Sequence, residues 1–223
     1  MPLAFARDRP AAGSLWSTLG GLLAPPLCWS CNGPARRGEP LCHSCRGSLH
    51  RLAPEPVWLS FVRAWAPVAY SGAARDLVGA LKFRGATGAA DAMAAQIAAN
   101  APPGWFDGVT LVPVPLHPSR LRSRGYNQAA AIAEALGWRT DAEVLDCLVR
   151  GGAAVTQVGR HRAERRARPV GAIRVHGSQL PSRVVLVDDV VTTGATLAAC
   201  RAALVAAGSL DVAAVAFART LGR

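Results

Sequence analysis

The 223 residues are enough for one medium domain, or a domain with a small appendage, around a substantial core. Twenty-five basic against 14 acidic side chains leave a charge of +11, which admits phosphates or nucleic acid as partners; Lys82 is the single lysine, and 44 alanines dilute the 51% hydrophobic content. The apolar content excludes whole-chain disorder, and every apolar stretch is broken well before the roughly 18 residues of a membrane-spanning helix, so no integral membrane segment is expected.

Along the chain, Arg7 and Arg9 precede an apolar run from Leu19 to Leu27 in the outline of a signal peptide. Asp8, Pro10 and Pro25-Pro26 interrupt it and no small-x-small cleavage site follows, so the reading is a short amphipathic helix capped at Ser14 in a cytoplasmic protein. A boundary falls near Pro54-Glu55-Pro56, dividing residues 1–53 from 57–223. Beyond it, Ala64 to Tyr70 reads as a strand, Ala73 to Phe83 as a helix with Leu77, Val78 and Leu81 on one face, and Ala89 to Ala99 as a helix. Val109 to Val114 has the pattern of a strand buried on both faces. Gln128 to Leu136 is a helix ended by Gly137, and Val144 to Val149 a strand leading into polar residues 151–168. Arg183 to Val187 is a strand, Leu197 to Ala207 a helix stopped by Gly208, and Val212 to Ala218 the last strand. Strands alternating with helices define α/β with a mainly parallel sheet.

Cys28-x2-Cys31 and Cys42-x2-Cys45 can each turn two thiolates onto one ion, and four thiolates close a tetrahedral site with no open position. The expected role is therefore a structural zinc, with His43 and His50 as candidate substitutes for a ligand. Cys147 and Cys200 read as small buried hydrophobes.

The most informative stretch runs from Val184 to Thr196. A buried strand ends in Asp188-Asp189, and Thr192-Thr193-Gly194-Ala195-Thr196 then opens a helix. Such a loop offers backbone N–H groups to an anion where the helix dipole favours one, with Gly194 allowing close approach. Carboxylates at the strand's carboxyl end suit a pair of ribose hydroxyls.

These thirteen residues resemble the phosphoribosyl-diphosphate (PRPP) signature of type I phosphoribosyltransferases. The wider chain resembles the ComF family of competence-associated phosphoribosyltransferase-like proteins, through the four-cysteine knuckle, Leu81-Lys82-Phe83-Arg84-Gly85, Val112-Pro113-Val114-Pro115-Leu116, Arg124-Gly125-Tyr126-Asn127-Gln128, Gln157 and Arg165. The resemblance implies a type I phosphoribosyltransferase-like sheet flanked by helices, with a zinc-ribbon-like module before it. It implies that Asp188 and Asp189 hold the ribose hydroxyls, that Thr192 to Thr196 hold the 5-phosphate, and that the loop of Pro115, Leu116 and His117 faces pyrophosphate. Residues of about 150–170 would form a mobile hood. The family commonly has Asn three residues after Arg165, where this chain has Arg168. Cations over a leaving pyrophosphate stabilise its charge, which makes Arg165, Lys82 and Arg124 the catalytic candidates. Two functions follow as expectations: Mg²⁺-dependent phosphoribosyl transfer from PRPP linked to competence and DNA uptake, or a non-catalytic PRPP or nucleotide module. In the second, the knuckle and arginines contact single-stranded DNA or the competence machinery.

Overall fold

The computed structural model describes residues 26–83, 87–151, 172–177 and 180–221. The helix expected at Ser14, together with Arg84, Gly85, Gln157, Arg165 and Arg168, lies outside the described residues. The elements are α1 (His43–Gly47), β1 (Val57–Leu59), β2 (Val62–Trp65), β3 (Val68–Ala69), α2 (Gly72–Phe83), α3 (Thr87–Asn100) and β4 (Thr110–Pro113). They continue with α4 (Pro118–Arg124), α5 (Gln128–Thr140), β5 (Glu143–Val144), β6 (Leu148–Arg150), β7 (Ile173–Val175), β8 (Arg183–Val191), α6 (Ala195–Ala206) and β9 (Asp211–Arg219).

One sheet runs β1-β2-β9-β8-β4-β5, with β3 also paired to β9, and every pairing is parallel except the β1–β2 hairpin. Its central strands are apolar on both faces because both are covered. Val185, Val187, Ala213 and Phe217 meet α2, α3 and α5, whereas Val184, Leu186, Val212 and Ala214 meet α6. A second, two-stranded antiparallel sheet, β6–β7, packs on the α6 side. Cys28, Leu41 and Leu49 of the cysteine module join the first core beside Trp65 and Leu77, so the module is packed into the α/β body. Among the described residues, no helix is long and apolar enough to cross a membrane.

Four expectations need correction. Ala64 to Tyr70 is two strands, β2 and β3, because Pro67 has no N–H to continue the ladder. Gly137 does not stop α5. The helix runs on to Thr140, and the glycine is needed because a Cβ there would lie 2.8 Å from the carbonyl oxygen of Ala142 and 2.8 Å from Val144 Cγ2. The cap is Asp141, at φ 54°. Val144 to Val149 also divides, β5 joining the main sheet and β6 pairing with β7. Finally, β8 does not end before its acids: it stays paired to β9 through Asp188↔Ala216 and Val191↔Arg219.

Candidate functional site

The four thiol sulfurs of Cys28, Cys31, Cys42 and Cys45 lie within 4.8 Å of one another. Cys31 Sγ and Cys42 Sγ are 3.8 Å apart, the edge of a tetrahedron with Zn–S bonds of about 2.3 Å. Backbone N–H groups of Gly33 and Cys45 donate to Cys31 Sγ and Cys42 Sγ at 3.4 and 3.5 Å. Burial opposes ionisation of Cys28, but backbone donors around it outweigh burial and bring that thiol down to about 6. The cluster fits a zinc ion. His43 and His50 are not part of it, and Cys147 and Cys200 are buried in the core as expected.

The second site is a pocket of about 300 Å³ between the carboxyl ends of β4 and β8 and the head of α6. Strand alternation separates its two acids. Asp188 shares the parity of Val184 and Leu186 and turns toward α6, where its charge acts on the Cys200 thiol. Asp189 is buried, and its Oδ2 meets Lys82 Nζ of α2 at 2.9 Å. Lys82 is thus an ion-pair partner that orients Asp189. Desolvation first, and the adjacent Asp189 charge second, raise the Asp188 carboxyl to about 8, against the opposing pull of the Asp189 N–H and Lys82. That N–H donates to Asp188 Oδ1 at 2.8 Å.

Pro115, Leu116, Arg124, Thr192 and Thr196 line the same pocket, while His117, Thr193, Gly194 and Ala195 do not. His117 caps α4 instead, its Nδ1 accepting from the Ser119 N–H at 3.3 Å. Gly194 is left-handed at φ 82°, and the space a Cβ would take is filled by Leu59 of the β1–β2 hairpin, only 2.8 Å away. The glycine therefore serves close packing of the hairpin on the loop, which Ser60 Oγ reinforces by donating to the Thr193 carbonyl at 2.8 Å. Thr193 Oγ1 accepts from the Ala195 N–H at 3.4 Å.

The cationic wall is held from several elements. Arg124 ends α4, donates to Gln128 Oε1 at 2.9 Å and stacks 5.5 Å from the ring centre of Phe83. Asn127 caps α5 while its Nδ2 donates to the Val114 carbonyl at 3.0 Å, and Tyr126 OH donates to the Leu81 carbonyl. These bonds tie the loop after β4 to α2. Arg120 and Arg150 also line the pocket. The sequence groups Arg150 with the arginines of residues 150–168 over a leaving pyrophosphate, and the structure places it instead at the inward-facing end of β6.

Fold and site together define an α/β protein with a mainly parallel sheet, an N-terminal four-thiol module, and a polar pocket where a strand's acid pair meets a threonine loop. The chain is 34% identical over 101 residues to "Competence protein ComFC" of Streptococcus pneumoniae, covering 45% of this chain and 44% of that one. It is 40% identical over 91 residues to "Competence protein F" of Haemophilus influenzae, covering 39% and 40%. The aligned region thus spans less than half the length of these curated relatives. No family model matches. Over the matched stretches, the chain is similar to these two competence proteins.

Proposed function

We propose that this protein binds PRPP with Mg²⁺ and transfers its phosphoribosyl group to an acceptor, releasing pyrophosphate, in a role linked to competence. One observation carries the reading: Asp188, Asp189, Thr192 and Thr196, from the end of β8 and the turn that opens α6, line one pocket with Lys82, Arg120 and Arg124. The backbone N–H groups and hydroxyls of that loop suit a phosphate monoester. Asp188 and Asp189 suit the ribose hydroxyls, and the arginines suit a diphosphate. In the transfer, the bond from ribose C1 to the diphosphate oxygen breaks and its electron pair leaves with pyrophosphate. An acceptor lone pair forms the new bond to C1, and the acceptor's proton goes to solvent. Arg124, and Arg165 of the proposed hood, would stabilise the departing charge, so no nucleophilic side chain is needed.

Because Lys82 occupies Asp189, few protein carboxylate oxygens remain for a metal. Mg²⁺ then suits a position on the diphosphate and ribose oxygens, where it supplies charge neutralisation. Residues 1–53 would act as a zinc module and 57–223 as the transferase-like body. The competence link rests on the relatives' names.

Isothermal titration with PRPP plus Mg²⁺, followed by pyrophosphate release across candidate acceptors, tests this reading. Asp189→Ala is expected to weaken PRPP binding about tenfold or more, or roughly 1.4 kcal/mol, and to leave inorganic phosphate binding nearly unchanged. Equal loss of both ligands would mean a collapsed loop. A second reading, single-stranded DNA contact, is favoured by Phe83, which is 78% exposed beneath Arg124 and offers a stacking surface beside the pocket. Steeply salt-dependent DNA binding with no pyrophosphate release would select it.

A further inference from the structure

Arg150 stands where a strand ordinarily carries an apolar side chain. Along β6, Leu148 faces the core, Val149 faces solvent, and Arg150 turns inward again. The strand is held in that register by β7, with Arg150 opposite Ile173, and the Gly151 N–H donates to the Ala172 carbonyl at 2.9 Å. Leu148, Ile173 and Val175 belong to the core cluster that includes Leu197, Cys200 and Leu204 of α6. Arg150 therefore enters the pocket from the α6 side, whereas Lys82 and Arg124 come from α2 and α4.

Two observations make this arginine more than a core irregularity. Among the described residues its Nε–H is buried without any hydrogen-bond acceptor, and a donor left so forfeits its hydration with nothing in exchange. Its side chain lines the pocket together with Thr196, and its charge acts on Cys200. Thr196 and Cys200 are four residues apart and so share one face of α6. The planar fork of the guanidinium, with five N–H groups and no acceptor, matches the oxygens of a phosphate rather than a neutral group.

We propose that Arg150 is a binding residue for the phosphate monoester end of a sugar phosphate held at the head of α6. The proposal deepens the PRPP reading and rests on it. A ligand oxygen supplies the acceptor that Nε–H lacks, and the site is thereby cationic at its monoester end as well as at its diphosphate end. The arrangement trades stability of the empty protein for affinity, as at other sites that keep a buried group unpaired until ligand arrives.

The test titrates the full chain with ribose 5-phosphate and, separately, with inorganic pyrophosphate. Arg150→Met keeps the length of the stem and removes the donors. It is expected to weaken ribose 5-phosphate binding at least about tenfold, equivalent to about 1.4 kcal/mol, and to change pyrophosphate binding by less than about twofold. The ligand-free variant should melt at the same temperature or higher, a result that a structural role could not give. Arg150→Lys, which keeps the charge and loses the Nε–H fork, should fall between the two. Unchanged ribose 5-phosphate affinity in Arg150→Met overturns the proposal. So does equal weakening of both probes with a lowered melting temperature, or a parent protein that binds no ribose 5-phosphate. PRPP titration of the parent protein separates the two failures: binding of PRPP with an indifferent Arg150 removes only this inference, and no binding removes the PRPP reading as well.

Discussion

The thiol cluster and the acid pocket are built in opposite ways. All the cluster's ligands lie between Cys28 and Cys45, and two short turns bring them together. The pocket draws Lys82 from α2, Arg124 from α4, Arg150 from β6, the two acids from β8 and Thr196 from α6. A local site depends on chain spacing, and a distributed one on sheet topology. The two should therefore fail differently, although they share a core through Cys28, Leu41, Leu49 and Leu77.

The largest expected effect breaks the local site. Cys42→Ser, or chelation, should abolish bound zinc and destabilise the protein by several kcal/mol, a melting shift on the order of 10 °C. Because the module packs against Trp65 and α2, the loss should spread beyond residue 53 and weaken the pocket too. Elemental analysis with thermal melting of the same samples checks this. Zinc-free protein with an unaltered melt would dissolve the comparison at its first term.

Next comes Gly194→Ala, which strikes the distributed site alone. The new Cβ meets Leu59 Cβ at 2.8 Å from a backbone at φ 82°. Overpacking and the left-handed conformation together should cost about 2–4 kcal/mol. Zinc content should stay intact while PRPP affinity falls. Adding Leu59→Gly, which removes the Cβ and leaves the backbone carbonyl oxygen at 3.0 Å, should relieve part of the steric cost and none of the backbone strain at position 194, so a double-mutant cycle by denaturant melting apportions the two. Additive losses would mean that the hairpin does not press on the loop.

The smallest effect sharpens the electrostatics. The folded Asp188 carboxyl is raised from its ordinary 3.8 to about 8, so the folded state holds this proton more tightly than the unfolded chain. Its contribution is complete below about pH 4 and is lost as pH rises through about 8. Asp188→Asn should then be more stable than the parent at pH 8, with the gap closing toward pH 4. Since Asp188 is half-buried, solvent screening should hold that gap to on the order of 1–2 kcal/mol. A gap that is constant with pH, in paired denaturant melts, would contradict the assigned cause.

The α/β class, the helices α2, α3 and α6, the four clustered thiols and the acid–threonine motif were all legible in the sequence. Each is a short-range pattern, whether helical spacing, paired cysteines, or an apolar run ending in acids and threonines. Tertiary structure alone decided the rest. The length of β8 through its acids is set by pairing with β9, which no property of Asp188 or Asp189 announces. Gly137 reads as a helix stop, yet it lies inside α5 because Ala142 and Val144 crowd it from the following turn. Gly194 reads as room for a phosphate, and Leu59, far off in the chain, takes that room. Lys82 reads as a cation for a leaving pyrophosphate, and Asp189 pairs with it. In each case the partner is distant in sequence, and the energy that decides comes from packing or charge across the fold, which local patterns do not encode.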